Sequence, residues 1–368
     1  MEQFSKKQLE NFSYLISLLS AAINETEPQK PSENISFKYI YSLANAHEIL
    51  NTVFYSIEKL KINSDNELFK KWKDKRNEAF HRNMIQTAEF ELIKNEFTKN
   101  GVEFLPVKGI PLCELYPQSD YRFMNDLDIL VKDTKKAGAV IKTLGYSPKQ
   151  VGETHHDEFI KPPFMLVELH RDLVRADSRF FDYYSDIFSR ANKINEAEFE
   201  LSREDFYIYS VVHIYKHYSK AGTGLRSFTD LYLLNKKWLS SLNTAYVEGE
   251  LKKLGLSEFR EKMSKIADKW FLHNDYKSFS DEELFILTSG AFGTTENKVN
   301  AVKGNKGKLA FVFKRLFPSP KTMKWRFPWL KKYPLLLPYA YLYRILRDGI
   351  KKREDAKAEL SALNTKRS

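Results

Sequence analysis

The chain has 368 residues, of which 42% are hydrophobic and 29% charged, enough for two or three compact units and too apolar for disorder over most of its length. Its single cysteine, Cys113, excludes an internal disulfide and suits a reducing compartment. The formal charge of +11 is concentrated late: Ala301 to Ile350 holds twelve Lys/Arg against one acid, Asp348, which leaves residues 1–300 slightly negative.

Met1-Glu-Gln-Phe-Ser-Lys-Lys lacks the charged-then-apolar plan of a signal peptide, and no apolar run is long enough to span a bilayer. A cytoplasmic location without a transmembrane span is expected, with membrane-peripheral contact left open. Apolar spacing predicts helices over residues 4–24, 39–60 and 69–97, separated by the polar, proline-containing stretch Glu25 to Asn34. In the third helix Phe80, Met84, Thr87, Phe90, Leu92 and Phe97 are expected inward, and this helical unit (1–100) carries no evident chemistry.

The pattern changes at Asn100-Gly101. A short strand is predicted over 102–107, then a Lys108-Gly109 turn, a helix over 110–115, a strand over 127–131 and a helix over 134–144. Two further strands, 153–161 and 164–170, are joined by Lys161-Pro-Pro163. A glycine between strand and helix lets backbone amides approach an anion.

Asp126 and Asp128 stand two residues apart at an apolar run, so on a strand they share a face. Side-by-side buried anions need a cation, and a divalent metal is the sharper alternative to a turn cap plus an exposed edge residue. Glu168 and His170 likewise share a face, which makes Glu168 a natural third carboxylate. Of His155 and His156, adjacent on one strand, only one is expected to face the site.

Lys108-Gly109, Arg122-x-x-x-Asp126-x-Asp128-Ile-Leu-Val and Val167-Glu-Leu-His170 together resemble the nucleotidyltransferase superfamily typified by DNA polymerase β, and most closely its bacterial uncharacterised nucleotidyltransferase family. His213-x-x-x-His217, Arg226-x-x-x-Asp230-Leu, Leu316-Phe-Pro318 and Arg344 extend the likeness to about residues 80–350. The chain departs from the usual pattern in having Ile110 where a serine follows the glycine, and in placing sixteen residues between Gly109 and Asp126.

The resemblance implies an α+β fold: a minimal polymerase β-like mixed sheet (101–175) embedded between an N-terminal helical region and a C-terminal one (176–300), with a basic, aromatic-rich tail (301–368). It implies Mg²⁺ or Mn²⁺ held by Asp126, Asp128 and Glu168, ATP or another NTP as substrate, and transfer of an NMP to a hydroxyl of a small-molecule, protein or RNA acceptor with release of pyrophosphate. Lys108 and Arg122 would neutralise the triphosphate, the backbone amides after Gly109 would bind it, Glu168 would accept the acceptor's proton, and His170, His213 and His217 would line the cleft.

Structural readings stand beside these. Lys108 or Arg122 could pair with Asp120 or Glu114, Arg226 with Asp230 along one helix, His213 and His217 with Asp230 or a zinc ion, and His170 could be bonded inside the sheet. Two other functions stay open: a catalytically inactive nucleotide- or partner-binding protein, suggested by the missing serine, and a toxin-like transferase modifying tRNA, suggested by the tail. Trp and Lys in residues 301–350 suit nucleic acid or an anionic membrane, but packing of the aromatics on the helical body is the first expectation.

Overall fold

In the computed structural model, which describes residues 4–62, 66–152, 154–297 and 316–351, helices α1 (Lys6–Asn24), α2 (Phe37–Ala46), α3 (Leu50–Lys59) and α4 (Glu67–Lys99) precede the sheet. The continuous helix expected over 39–60 is two. Glu48 has φ 54°, a left-handed conformation that no helix continues through, and the neighbouring His47 ring is bonded on both sides. Helix α4 buries Ala79, Asn83, Gln86, Phe90, Ile93 and Phe97. The expected inward residues Phe80, Met84 and Leu92 are instead 40%, 56% and 49% exposed, since each lies one position, about 100° of arc, from that stripe.

The Asn100-Gly101 stop is real: Gly101 adopts φ 59° and the Val102 N–H closes back onto the Phe97 carbonyl at 2.8 Å. Beyond it lie β1 (Phe104–Pro106), α5 (Gly109–Cys113), β2 (Leu127–Val131), α6 (Thr134–Thr143), β3 (Ser147–Gln150), β4 (His156–Lys161) and β5 (Met165–His170). Asp133 caps α6 by accepting the Lys135 and Lys136 N–H groups, both at 2.9 Å. The strand expected from residue 153 starts only at His156, because Arg171 N–H holds the His155 carbonyl in the preceding bend, and Glu153 lies outside the described residues. Strand β3, exposed and containing Pro148, carries no apolar alternation and was invisible to periodicity.

The sheet order is β1-β2-β5-β4-β3, with β2 and β5 parallel and the other pairs antiparallel. It is a mixed five-stranded sheet in an α+β protein. Alternation sorts its faces. Leu127, Ile129, Val131, Phe159, Val167 and Leu169 pack with Ile93 and Phe97 of α4 and Ala137, Val140 and Ile141 of α6. Leu130, on the opposite face with Asp128, joins a second core shared with the helices on both sides of the sheet, including Leu15, Val53, Tyr207, Leu231 and Trp270.

After β5 come the short helix α7 (Phe181–Tyr184), a two-stranded ribbon, β6 (Asn192–Lys193) and β7 (Phe199–Glu200), and helices α8 (Arg203–Ala221), α9 (Leu225–Trp238), α10 (Thr244–Leu254), α11 (Ser257–Phe271) and α12 (Asp281–Ser289). Helix α12 is bounded at both ends, by a Ser280–Glu283 capping box and by Gly290 at φ 66°.

In residues 316–351, α13 (Pro320–Arg326) and α14 (Leu337–Lys351) close on one another through Met323, Phe327, Leu330 and Ala340, a cluster separate from the other two, with Trp329 packed against it. For Phe327 and Trp329 this replaces the expected packing on the helical body, because turns beginning at Pro328 and Pro334 fold the segment back on itself. Residues 301–315, which carry part of the basic charge, and the side chain of Trp325 lie outside the described residues. Among the described residues no helix is long and apolar enough to cross a membrane.

Candidate functional site

The strand register places the acids. Parallel pairing sets Asp128 beside Glu168, and antiparallel pairing sets Glu168 beside Glu158, so one row across the sheet reads Asp128, Glu168, Glu158. The next row on the same face is Leu130, His170, His156. Asp128 is 4% exposed, while Asp126, just before β2, is only partly buried.

Lys108 enters from the β1–α5 turn, where its φ of 55° is one that L side chains rarely adopt. Its ammonium pairs with Asp128, lies 4.0 Å from Glu168 and 3.4 Å from the His170 Nε2. The expected alternative partners Asp120 and Glu114 are not used. His170 Nε2 donates to Asp128 Oδ1 at 2.7 Å and lies 3.2 Å from Glu168.

Asp128 and Glu168 therefore share one lysine, and Asp126, just before the strand, feels the charges of both acids. Burial, reinforced by the charges of Asp128 and Glu168, pushes Asp126 up to about 7. Burial also opposes ionisation of Asp128, but Lys108 and His170 overcome it and hold this carboxyl well below the usual range. Oxygen donors in excess of local positive charge are the chemistry a hard divalent cation needs.

Gly109 has a packing reason. A Cβ there would meet the Met124 Sδ at 2.8 Å and the Arg122 Nη1 at 3.2 Å. Arg122 does not face the carboxylate row. It is 8% exposed and donates through Nε and Nη2 to both oxygens of Asp230 at 2.8 and 2.9 Å, while the Tyr116 hydroxyl donates to the same carboxylate at 2.7 Å. The Nε and Nη2 donors of this arginine, expected at a triphosphate, are engaged in a buried ion pair with Asp230.

Asp230 is thereby used up, so neither Arg226 nor the histidines of α8 pair with it. Arg226 binds Glu48, whose other oxygen accepts from the Asn125 amide at 2.8 Å. The N-terminal helical region thus does reach the site, contrary to expectation. Arg82 of α4 does so too, donating to the Met124, Asn125 and Phe164 carbonyls at 3.2, 2.9 and 3.3 Å and shaping the backbone ahead of Asp126. Neither Glu48 nor Arg82 had a local signal beyond being a charged residue near a helical pattern.

Helix α8 brings Tyr209, His213 and Lys216, spaced four and three along one face, within reach of the Lys108 and Asp128 charges, while Lys220 lies by Arg175 and Asp177. His213 and His217 Nε2 atoms lie 3.3 Å apart. Burial and neighbouring cations hold His217 down at about 3 and His213 well below the usual histidine range, and burial with the nearby Lys108 lowers Lys216 to about 8. Among the described residues these two histidines belong to no cluster of three metal-ligating side chains. Both His155 and His156, not one of them, approach His170, with ring centroids 5.3 and 5.0 Å from it. The two-residue alternation does not apply because His155 precedes the strand.

Residues 33–272 match the family described as "Uncharacterised nucleotidyltransferase", and the chain belongs to that family. The match starts earlier than the likeness expected from about residue 80 and ends before Leu316-Phe-Pro318 and Arg344. No curated protein and no solved structure matches the chain.

Proposed function

We propose that the protein transfers a nucleoside monophosphate from an NTP to a hydroxyl-bearing acceptor, on a polymerase β-like sheet and with Mg²⁺. The observation that carries this reading is the pairing of Asp128 with Glu168 by the β2–β5 register around one lysine, with Asp126 one position ahead of β2. These three carboxylates would hold the metal, which when bound stabilises charge on the attacking and leaving oxygens of an in-line displacement.

The rest is assigned to the chain's own groups. Lys108 and Lys216 supply positive charge for the phosphates. Glu168 takes the proton of the acceptor hydroxyl as its oxygen bonds to the α-phosphorus and the bond to pyrophosphate breaks. His170 orients Asp128. Arg122 and Gly109 shape the turn and do not contact substrate.

Labelled NTP, Mg²⁺ and a cell extract test the reading. Wild-type protein is expected to release pyrophosphate and label an acceptor, and Asp126→Ala with Asp128→Ala to do neither. Turnover in the double variant at the wild-type rate overturns the carboxylate assignment. A second reading, nucleotide binding without transfer, is favoured by one contact: the Lys108 ammonium already satisfies Asp128. Mg²⁺-dependent NTP binding with no pyrophosphate from any NTP would decide for it.

A further inference from the structure

Three imidazoles meet beside the carboxylate row and are left unexplained by it. His155, His156 and His170 each offer a ring nitrogen within 4.8 Å of those of the other two. Their ring centroids are 4.7, 5.0 and 5.3 Å apart. His155 is 8% exposed and His170 1% exposed, and the Nδ1 atoms of all three are buried without a hydrogen-bond partner among the described residues. A buried imidazole nitrogen without a partner is costly, and three together are not what the ends of two interior strands need for folding.

For His156 and His170 the surrounding acids set the tautomers that leave Nδ1 with a lone pair. His170 presents Nε2 to Asp128 at 2.7 Å and to Glu168 at 3.2 Å. His156 presents Nε2 to Glu158 at 3.5 Å and to Glu168 at 3.6 Å. A proton on each Nε2, directed at a carboxylate, leaves Nδ1 free, the arrangement by which carboxylates orient metal-ligating histidines. Lys108 and Lys216 oppose a cation here, while Asp128, Glu158 and Glu168 attract one.

We propose that His155, His156 and His170 form a transition-metal site for an ion of the Zn²⁺ class, distinct from the carboxylate site proposed for Mg²⁺. Neutral imidazole suits Zn²⁺, Co²⁺ and Ni²⁺, whereas Mg²⁺ requires oxygen. The ion would join the start of β4 to the end of β5 and fix the His170 ring, and through its Nε2–H the Asp128 carboxylate. The site supplies three ligands and leaves a position for water or a substrate oxygen.

The test uses chelator-stripped full-length protein in excess Mg²⁺. Zn²⁺ competition against a chromophoric chelator is expected to give one ion per chain. His155→Ala and His156→Ala should each weaken binding by about 100-fold, and Asp126→Asn should leave it within about threefold. Co²⁺ bound to the wild-type chain should show the intense visible bands of a low-coordinate, nitrogen-ligated ion, which keeps the test decisive should a variant fail to fold. Absence of Zn²⁺ uptake, wild-type affinity in both histidine variants, equal loss in Asp126→Asn, or the pale spectrum of octahedral cobalt would each overturn the proposal.

Discussion

Asp230 and Asp128 are almost equally buried, at 6% and 4% exposed, yet their surroundings differ in kind. Asp230 receives a bidentate guanidinium and a tyrosine hydroxyl, so one anion meets one cation with its lone pairs filled. Asp128 shares one lysine with Glu168, has the charge of Asp126 nearby, and its remaining donor is a histidine. The closed cluster is complete as it stands and ties the α5–β2 connection to α9. The open cluster is electrostatically incomplete, and Asp126 registers that deficit by holding its proton to about 7. Burial alone therefore does not distinguish a structural carboxylate from a functional one; the balance of charge around it does.

Breaking the closed cluster should have the largest effect. Arg122→Ala leaves Asp230 buried without its cation and is expected to cost about 3–5 kcal/mol, read from the midpoint of urea unfolding. Arg122→Met combined with Asp230→Leu should recover much of that loss, since neither charge is then left alone. In the open cluster, Lys108→Met should cost less, about 2 kcal/mol, because His170 still donates to Asp128. This smaller loss should shrink further when Mg²⁺ is added, whereas that of Arg122→Ala should not change. A loss in Lys108→Met as large as that in Arg122→Ala, and insensitive to Mg²⁺, would make the two clusters alike.

The open cluster was the more legible of the two in the sequence. Asp128, Glu168 and His170 sit on short strands whose two-residue alternation can be read locally, with Asp126 one position before β2, and only the β2–β5 register had to come from the fold. The closed cluster joins Arg122 to Asp230 across 108 positions, and nothing local distinguishes that arginine from one aimed at a phosphate. Glu48 was hidden for another reason. The apolar spacing of α2 and α3 runs on in phase through residues 47–49, so periodicity read one helix where a left-handed residue turns a carboxylate toward Arg226. His155 and His156 were misjudged because the alternation rule was extended one residue beyond the strand.

Asp126→Asn sharpens the contrast at the smallest scale. An ordinary carboxyl releases its proton near 3.8, but Asp126 in the folded chain holds it to about 7. Between these values the folded state binds more protons than the unfolded one, so its contribution is fully present below 3.8 and is lost as pH rises through 7. Without divalent cations, wild-type stability should therefore fall across this window relative to Asp126→Asn, leaving the variant more stable at pH 8 by on the order of 1–2 kcal/mol. Mg²⁺ should reverse the order, because it stabilises the folded chain only where both aspartates can ligate it. Thermal unfolding at pH 5 and pH 8, with and without Mg²⁺, measures all four corners. If Asp126→Asn destabilises the chain at pH 8 without metal, Asp126 is as well partnered as Asp230 and the site is not short of a cation.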